Sequence, residues 1–399
     1  MPDHAQEIAN DYHVDLYGRY PLTLTEGKGI YVKATNGKEY LDALAGIAVN
    51  SVGHCHPRVV KAIQDQAAKL IHISNFYYSE PQSELVKLLA EVSGLDRAFL
   101  CNSGAEAVEG SIKLARKYAS TKEKKGSIIS MKNCFHGRTL GTIAMGKEKY
   151  QKGFGPLPGG FEQVPENDIS AIKSKIDDET IGVIIEPIQG EGGIHQIEST
   201  YLKEVRALCD QHDALLILDE IQCGIGRTGK MFAYQHYDIK PDIIASAKAL
   251  GGGFPIGAVI AQEKVASAIS HGEHGTTYGG NPLACAASLA ALNTIIDNDL
   301  AEQATEKGEY FMDKVRTVAK DWDAIKEVRG KGLMIGVELN FEGGKVVEEM
   351  MERGVLSNCA SDTVMRIVPP LIITKDELDK IFDVLVESIK EVEKEHAKA

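Results

Sequence analysis

Three short, unbroken apolar runs constrain this chain most: Ile181 to Glu186, Leu215 to Asp219 and Ile243 to Ala247. Each has the length of a strand; the second ends at Asp219 and the third leads into Lys248. A strand that is apolar at every position has no solvated face, so it belongs inside a sheet covered on both sides. From Ser51 to about Asp297 strands and helices alternate, the pattern of a mostly parallel sheet with helices on both faces. Ligands of such sheets bind at the carboxyl edge, which is where Asp219 and Lys248 fall.

Lys248 sits in Ser246-Ala247-Lys248-Ala249-Leu250-Gly251-Gly252-Gly253. A lysine driven inward by an apolar strand loses proton affinity and gains nucleophilicity, and three glycines allow a backbone or ligand to approach closely. Taken alone, such a lysine is more often a surface charge. Asp219 needs a cation if it is buried, and a protonated ring nitrogen of a coenzyme is one; an ordinary helix N-cap is the alternative. Leu100 to Glu106 reads as a strand turning through Ser103 and Gly104 into a helix, whose free amides and dipole favour a phosphate. A plain capped helix explains Ser103 equally well but gives Gly104 no role.

A rival pattern lies nearby. Gly224-Ile225-Gly226-Arg227-Thr228-Gly229-Lys230 matches a phosphate-binding P-loop up to its last position, where Met231 replaces the magnesium-binding hydroxyl. The glycine loop also follows the acidic strand, the reverse of the order a nucleotide hydrolase needs.

Seven blocks together resemble the class III (subgroup II) pyridoxal-phosphate-dependent aminotransferases, most closely their acetylornithine branch. They are Asn102-Ser103-Gly104, Phe135 to Thr139, Glu186 to Gly193, Asp219 to Gln222, Lys248, Thr276 to Pro282 and Arg366 to Pro370, and they run nearly end to end. The resemblance implies the α/β architecture of a fold-type-I transferase of this coenzyme class. It has a mostly parallel central sheet with helices on both faces and a smaller α+β domain. It implies that pyridoxal 5'-phosphate is bound by Ser103, Gly104 and Ala105 at its phosphate, Phe135 on its ring, Asp219 at the ring nitrogen and Gln222 near the ring hydroxyl. Lys248 would form the Schiff-base link, and Thr276 and Thr277 would come from the partner subunit of a homodimer, Thr277 reaching the phosphate. Ala105 stands where many relatives have Thr, so the backbone amides must suffice there; Cys223 stands where Thr or Ser is frequent.

For the substrates, the resemblance implies that Arg138 and Arg366 bind carboxylates, a task that suits a planar fork of donors. Glu191 would mask Arg366 and release it for glutamate. The implied reaction is ping-pong transamination between a terminal amine, N-acetylornithine in that branch, and 2-oxoglutarate, with Lys248 as general base and acid. Ornithine, 4-aminobutyrate and N-succinylated amines remain alternative donors. Ile47 aligns where ornithine enzymes of the eukaryotic type carry Tyr, which disfavours a free amine; Tyr17 aligns with a Tyr that contacts the substrate tail in both branches. A non-catalytic protein on the same fold is the other class of reading, and intact Lys248 and Asp219 speak against it.

The net charge of −13 argues against nucleic-acid or anionic-membrane partners. Seven cysteines without a Cys-x-x-Cys pair suggest reduced thiols in a cytoplasm. The start at Met1 shows no secretory pattern, and no run approaches membrane-spanning length. His54-Cys55-His56 reads as a turn before Pro57, not a metal site. Three domains are expected: 1–50 contributing to the small domain, 51–297 binding the coenzyme, and 298–399 as the C-terminal small domain. The first carries a hairpin turning at Asn36-Gly37. The last carries strands at Leu333 to Leu339 and Val364 to Val368, and a helix opened by a Thr374/Glu377 capping box. Arg366 is expected just after its strand, where domain closure could bring it over the coenzyme.

Overall fold

The computed structural model describes residues 3–396, and side chains through Glu395; the outer ends of the first and last expected domains lie outside those residues. A seven-stranded sheet forms the centre. Its order is Arg97–Cys101, Gly257–Ala261, Ile243–Ser246, Leu215–Asp219, Gly182–Ile185, Ile128–Met131 and Phe161–Val164. Only Gly257–Ala261 runs antiparallel to its neighbours; the other pairings are parallel.

Both faces of this sheet are covered, as the unbroken apolar runs require. Along Leu215–Asp219 successive side chains point to opposite faces. Leu216 and Leu218 join one core with Leu202 and Val205 of the helix Ser199–Gln211. Leu215 and Ile217 join the other, with Ala107, Val108 and Ile112 of the helix Gly104–Thr121. Each fully buried Leu or Ile contributes roughly 1.5–3 kcal/mol, so neither face could be made polar without losing the sheet.

Two four-stranded sheets lie outside the centre. One contains Leu24–Lys28, Tyr31–Ala34, Glu39–Asp42 and Val355–Leu356. The expected hairpin is its middle, with Gly37 at φ +83°, and Val355–Leu356 pairs with Glu39–Asp42, so segments far apart in the chain share this sheet. The other contains Ile325–Lys331, Met334–Leu339, Val364–Ile367 and Asn358–Ala360. Arg366 is therefore inside its strand, not after it, facing Gly336 across the ladder. The capping box forms: Thr374 N donates to Glu377 at 2.8 Å and Glu377 N to Thr374 Oγ1 at 3.3 Å, and the helix Lys375–His396 follows.

The P-loop-like run opens no helix; it is a series of turns ending in a 3-10 turn at Ala233–His236. Arg227 within it is fully buried. It donates to the Leu333 carbonyl at 3.0 Å and to Ser51 Oγ at 3.2 Å, and burial pulls its pKa down to about 9. This run ties three parts of the chain together. His54 bonds Asp42 at 2.7 Å and His56 caps the helix Pro57–Ala67, so the His-Cys-His segment is a turn, and no metal-holding cluster occurs among the described residues. No helix among them is long and apolar enough to cross a membrane.

Candidate active site

A cavity of about 460 Å³ opens where the parallel strands end. Lys248 follows Ile243–Ser246 and starts a 3-10 turn, Lys248–Gly251. Its φ of +45° is left-handed, a strain of about 1–3 kcal/mol for a residue with a Cβ, and such strain gathers at functional sites. The residue borders the cavity and is half-buried as a whole, while its amine lies inside and forms no hydrogen bond or ion pair among the described residues. Burial pulls its pKa down to about 8; Arg366 adds to this, against Glu191 and Asp219.

Asp219 ends its strand at the cavity wall, 3% exposed. One carboxylate oxygen lies 2.7 Å from His136 Nδ1, and the other accepts from Ile221 N at 3.1 Å. The acid thus caps a turn and still faces the cavity. His136 gained no role from the sequence, although it sits between two residues that did. Burial works against its proton, but Cys134 and Asp219 outweigh burial and raise its pKa well above the ordinary range.

Ser103 caps the helix Gly104–Thr121, accepting from Glu106 N at 3.2 Å. Gly104 and Ala105, in the first turn where an α-helix leaves N–H groups without internal acceptors, line the cavity. A Cβ at Gly104 would lie 2.9 Å from Ile221 Cδ1, so a larger residue here would make the Ile221 side chain shift.

Phe135 forms a wall of the cavity and meets Tyr150 edge-on at 5.9 Å. Arg138 stands at the rim, its guanidinium 3.8 Å from the Tyr150 ring centre, and no acid pairs with it among the described residues. Arg366 is fully buried. It pairs with Glu191 and donates to Asn358 Oδ1 at 3.1 Å and Gln222 Oε1 at 3.3 Å, while its Nη2 has no partner among the described residues. Burial opposes the Glu191 charge, but the Arg366 guanidinium outweighs it and lowers the Glu191 pKa. Gln222 lines the cavity and also donates to Glu191 at 3.5 Å, which joins the pair to the cavity.

Glu186 is a second residue without a sequence-derived role. It is buried, lines the cavity, and accepts from Phe135 N at 2.8 Å and Gly190 N at 3.2 Å. Burial raises its pKa to about 7, helped by Asp219 and opposed by His136. Tyr17, Ile47 and Thr277 are not brought into the cavity wall of this single chain. Tyr17 and Thr277 are exposed, and Ile47 stands in a left-handed turn at φ +63°. Thr276 accepts from Asn102 Nδ2 at 3.1 Å, which puts it beside the Ser103 loop.

The described geometry has counterparts among known proteins. The model of the aminotransferase class-III family matches residues 15–389. The acetylornithine aminotransferase of Methanocaldococcus jannaschii is 56% identical over 391 residues, 97% of this chain and 98% of the relative. An ornithine aminotransferase structure from Toxoplasma gondii, with partial occupancy of PLP at its active site, superposes with a TM-score of 0.95 at 36% identity, covering 99% of this chain and 96% of that one. The acetylornithine aminotransferase of Elizabethkingia anophelis superposes with a TM-score of 0.86 at 34% identity, over 96% and 98%. With Lys248, Asp219 and a helix start around one cavity, and a family match over nearly the whole chain, this protein belongs to the class III aminotransferases.

Proposed function

We propose that the protein transfers the terminal amino group of N-acetylornithine to 2-oxoglutarate, giving N-acetylglutamate 5-semialdehyde and glutamate. The observation that carries this is the pairing of buried Arg366 with Glu191 while Arg138 at the rim has no acid partner among the described residues. Acetylornithine reacts at the end far from its carboxylate, whereas glutamate carries a carboxylate beside the reacting carbon. One arginine must therefore stay free and the other must be masked for the first substrate. The curated relative's name supports the acetylated donor. Similarity to ornithine aminotransferase keeps ornithine as a second reading.

The family implies pyridoxal phosphate, and the donor set fits it. Gly104 and Ala105 offer amides to a phosphate, Phe135 a flat wall, Asp219 a buried anion for a protonated ring nitrogen, and Lys248 an unpaired amine. When bound, the coenzyme supplies an aldehyde for the substrate amine and a ring that withdraws electrons. Lys248, whose proton affinity burial lowers, takes the proton from the amine-bearing carbon as general base, then returns it as general acid. His136 holds Asp219 in place. Arg138 holds the distant carboxylate, and Glu191 leaves Arg366 when a carboxylate arrives beside the reacting carbon.

The reading includes a homodimer that shares its sites. Thr277 is exposed beside Tyr278, and Phe76 and Tyr78 are 92% and 97% exposed, an apolar surface that fits burial against a second copy. Division at residues 50 and 297 and a cytoplasmic location complete it; seven free cysteines support the latter. The test is glutamate formation from 2-oxoglutarate with a panel of donors. N-acetylornithine should give the highest kcat/KM, and preference for ornithine or 4-aminobutyrate would overturn the donor assignment.

A further inference from the structure

Glu186 follows the strand Gly182–Ile185, is buried, and has no cation within ion-pairing distance among the described residues. A buried carboxylate costs folding stability unless its oxygens are satisfied. Its two oxygens hold two different loops. Oε1 accepts from the amide of Phe135, the aromatic wall, and Oε2 from the amide of Gly190, the residue before Glu191. The Gly190 carbonyl in turn accepts from Arg366 Nη1 at 3.4 Å. Gly190 is also pressed on Gln222: a Cβ there would lie 2.4 Å from Gln222 Cδ, and the Gln222 amide touches both Glu191 and Arg366. On the other side, the Glu191 carbonyl is held by Lys147 at 3.2 Å and Ser361 at 3.1 Å. The backbone around Glu191 is thus held, while its side chain pairs with Arg366 and accepts from Gln222.

We propose that Glu186 is a positioning residue that couples the Phe135 wall to the Glu191–Arg366 pair, and so sets how readily that pair opens for a carboxylate beside the reacting carbon. This rests on the reading of Glu191 and Arg366 given above. Both oxygens must be free to accept, because both contacts come from N–H groups. Glutamine supplies one acceptor and turns an NH2 against the other donor.

The test uses the holoenzyme with Glu186→Gln, Glu191→Ala and the double variant, measured by single-turnover rates for glutamate and N-acetylornithine and by amide hydrogen exchange. Loss of one amide contact should speed exchange at Phe135 or Gly190 about tenfold. Glu186→Gln should raise the glutamate-to-acetylornithine rate ratio about threefold or more, in the same direction as Glu191→Ala, with the double variant going no further than Glu191→Ala alone. Equal losses in both half-reactions, or full additivity in the double variant, would overturn the coupling. If Glu191→Ala leaves the ratio unchanged, the gate reading falls by itself, and unchanged protection of both amides in Glu186→Gln overturns the bridge independently. Should Glu186→Gln fail to fold, Glu186→Asp keeps the carboxylate on a shorter stem and must show the same ratio change.

Discussion

Removing the charge from Lys248 should stabilise the protein that it disables. Burial lowers the Lys248 pKa from 10.5 to about 8. At about 1.4 kcal/mol per pH unit, that drop corresponds to roughly 3 kcal/mol of folding stability forgone at neutral pH. Water in the cavity screens part of it, so about 2 kcal/mol is expected for Lys248→Met in coenzyme-free protein. The sign follows from proton counting. Between pH 8 and 10.5 the unfolded chain binds the Lys248 proton more tightly than the folded one, so parent stability rises through that window. Well below pH 8 both states are protonated and the penalty is constant. The variant has no such term, and its advantage should be full at pH 7 and vanish toward pH 10.5. Met keeps the left-handed backbone at this position, so the comparison isolates the charge. Thermal unfolding of both coenzyme-free proteins from pH 7 to 10.5 reads this as a gap of a few degrees that closes. A parent at least as stable as the variant at pH 7, or a gap that does not change with pH, would refute the reasoning.

Three further outcomes are expected. Arg366→Ala should slow the glutamate half-reaction at least tenfold more than the acetylornithine half, read by single turnovers; equal losses would remove the switch. Mixing Lys248→Ala with a Thr277 variant defective in coenzyme binding should restore activity, because one site of each heterodimer carries neither defect; no recovery after verified exchange counts against shared sites. Gly104→Ala, whose Cβ would meet Ile221 Cδ1 at 2.9 Å, should cost about 1–3 kcal/mol of stability and weaken coenzyme binding, measured by unfolding and by titration with pyridoxal phosphate.

The sequence makes the centre of the fold readable where physics leaves one choice. Leu215–Asp219 is apolar throughout because both of its faces are buried, and the Asn36-Gly37 turn and Thr374/Glu377 box are local devices that form as their residues dictate. Gly257–Ala261 is equally apolar, yet nothing in its pattern reveals that it runs antiparallel, since direction is set by the connection. Val355–Leu356 is too short to announce a strand and exists through its partner, Glu39–Asp42. At the site, Lys248 and Asp219 stand out because each closes or follows a buried run. Glu186 also ends one, but its role, like that of His136, arises from loops that only the folded chain brings to Asp219, Phe135 and Gly190. The Asn102-Ser103-Gly104 block conveyed the helix start but not the contact with Ile221, 117 residues from Gly104 by subtraction of their numbers.

The most direct test of the central claim is chemical. Treating the purified, coenzyme-loaded protein with borohydride reduces a lysine–coenzyme C=N bond to a stable amine, and peptide mass spectrometry then locates it. The account predicts bleaching of the visible absorbance and the reduced coenzyme's mass on the peptide that contains Lys248 alone. Label on another lysine, or unlabelled protein that still transaminates, would contradict it.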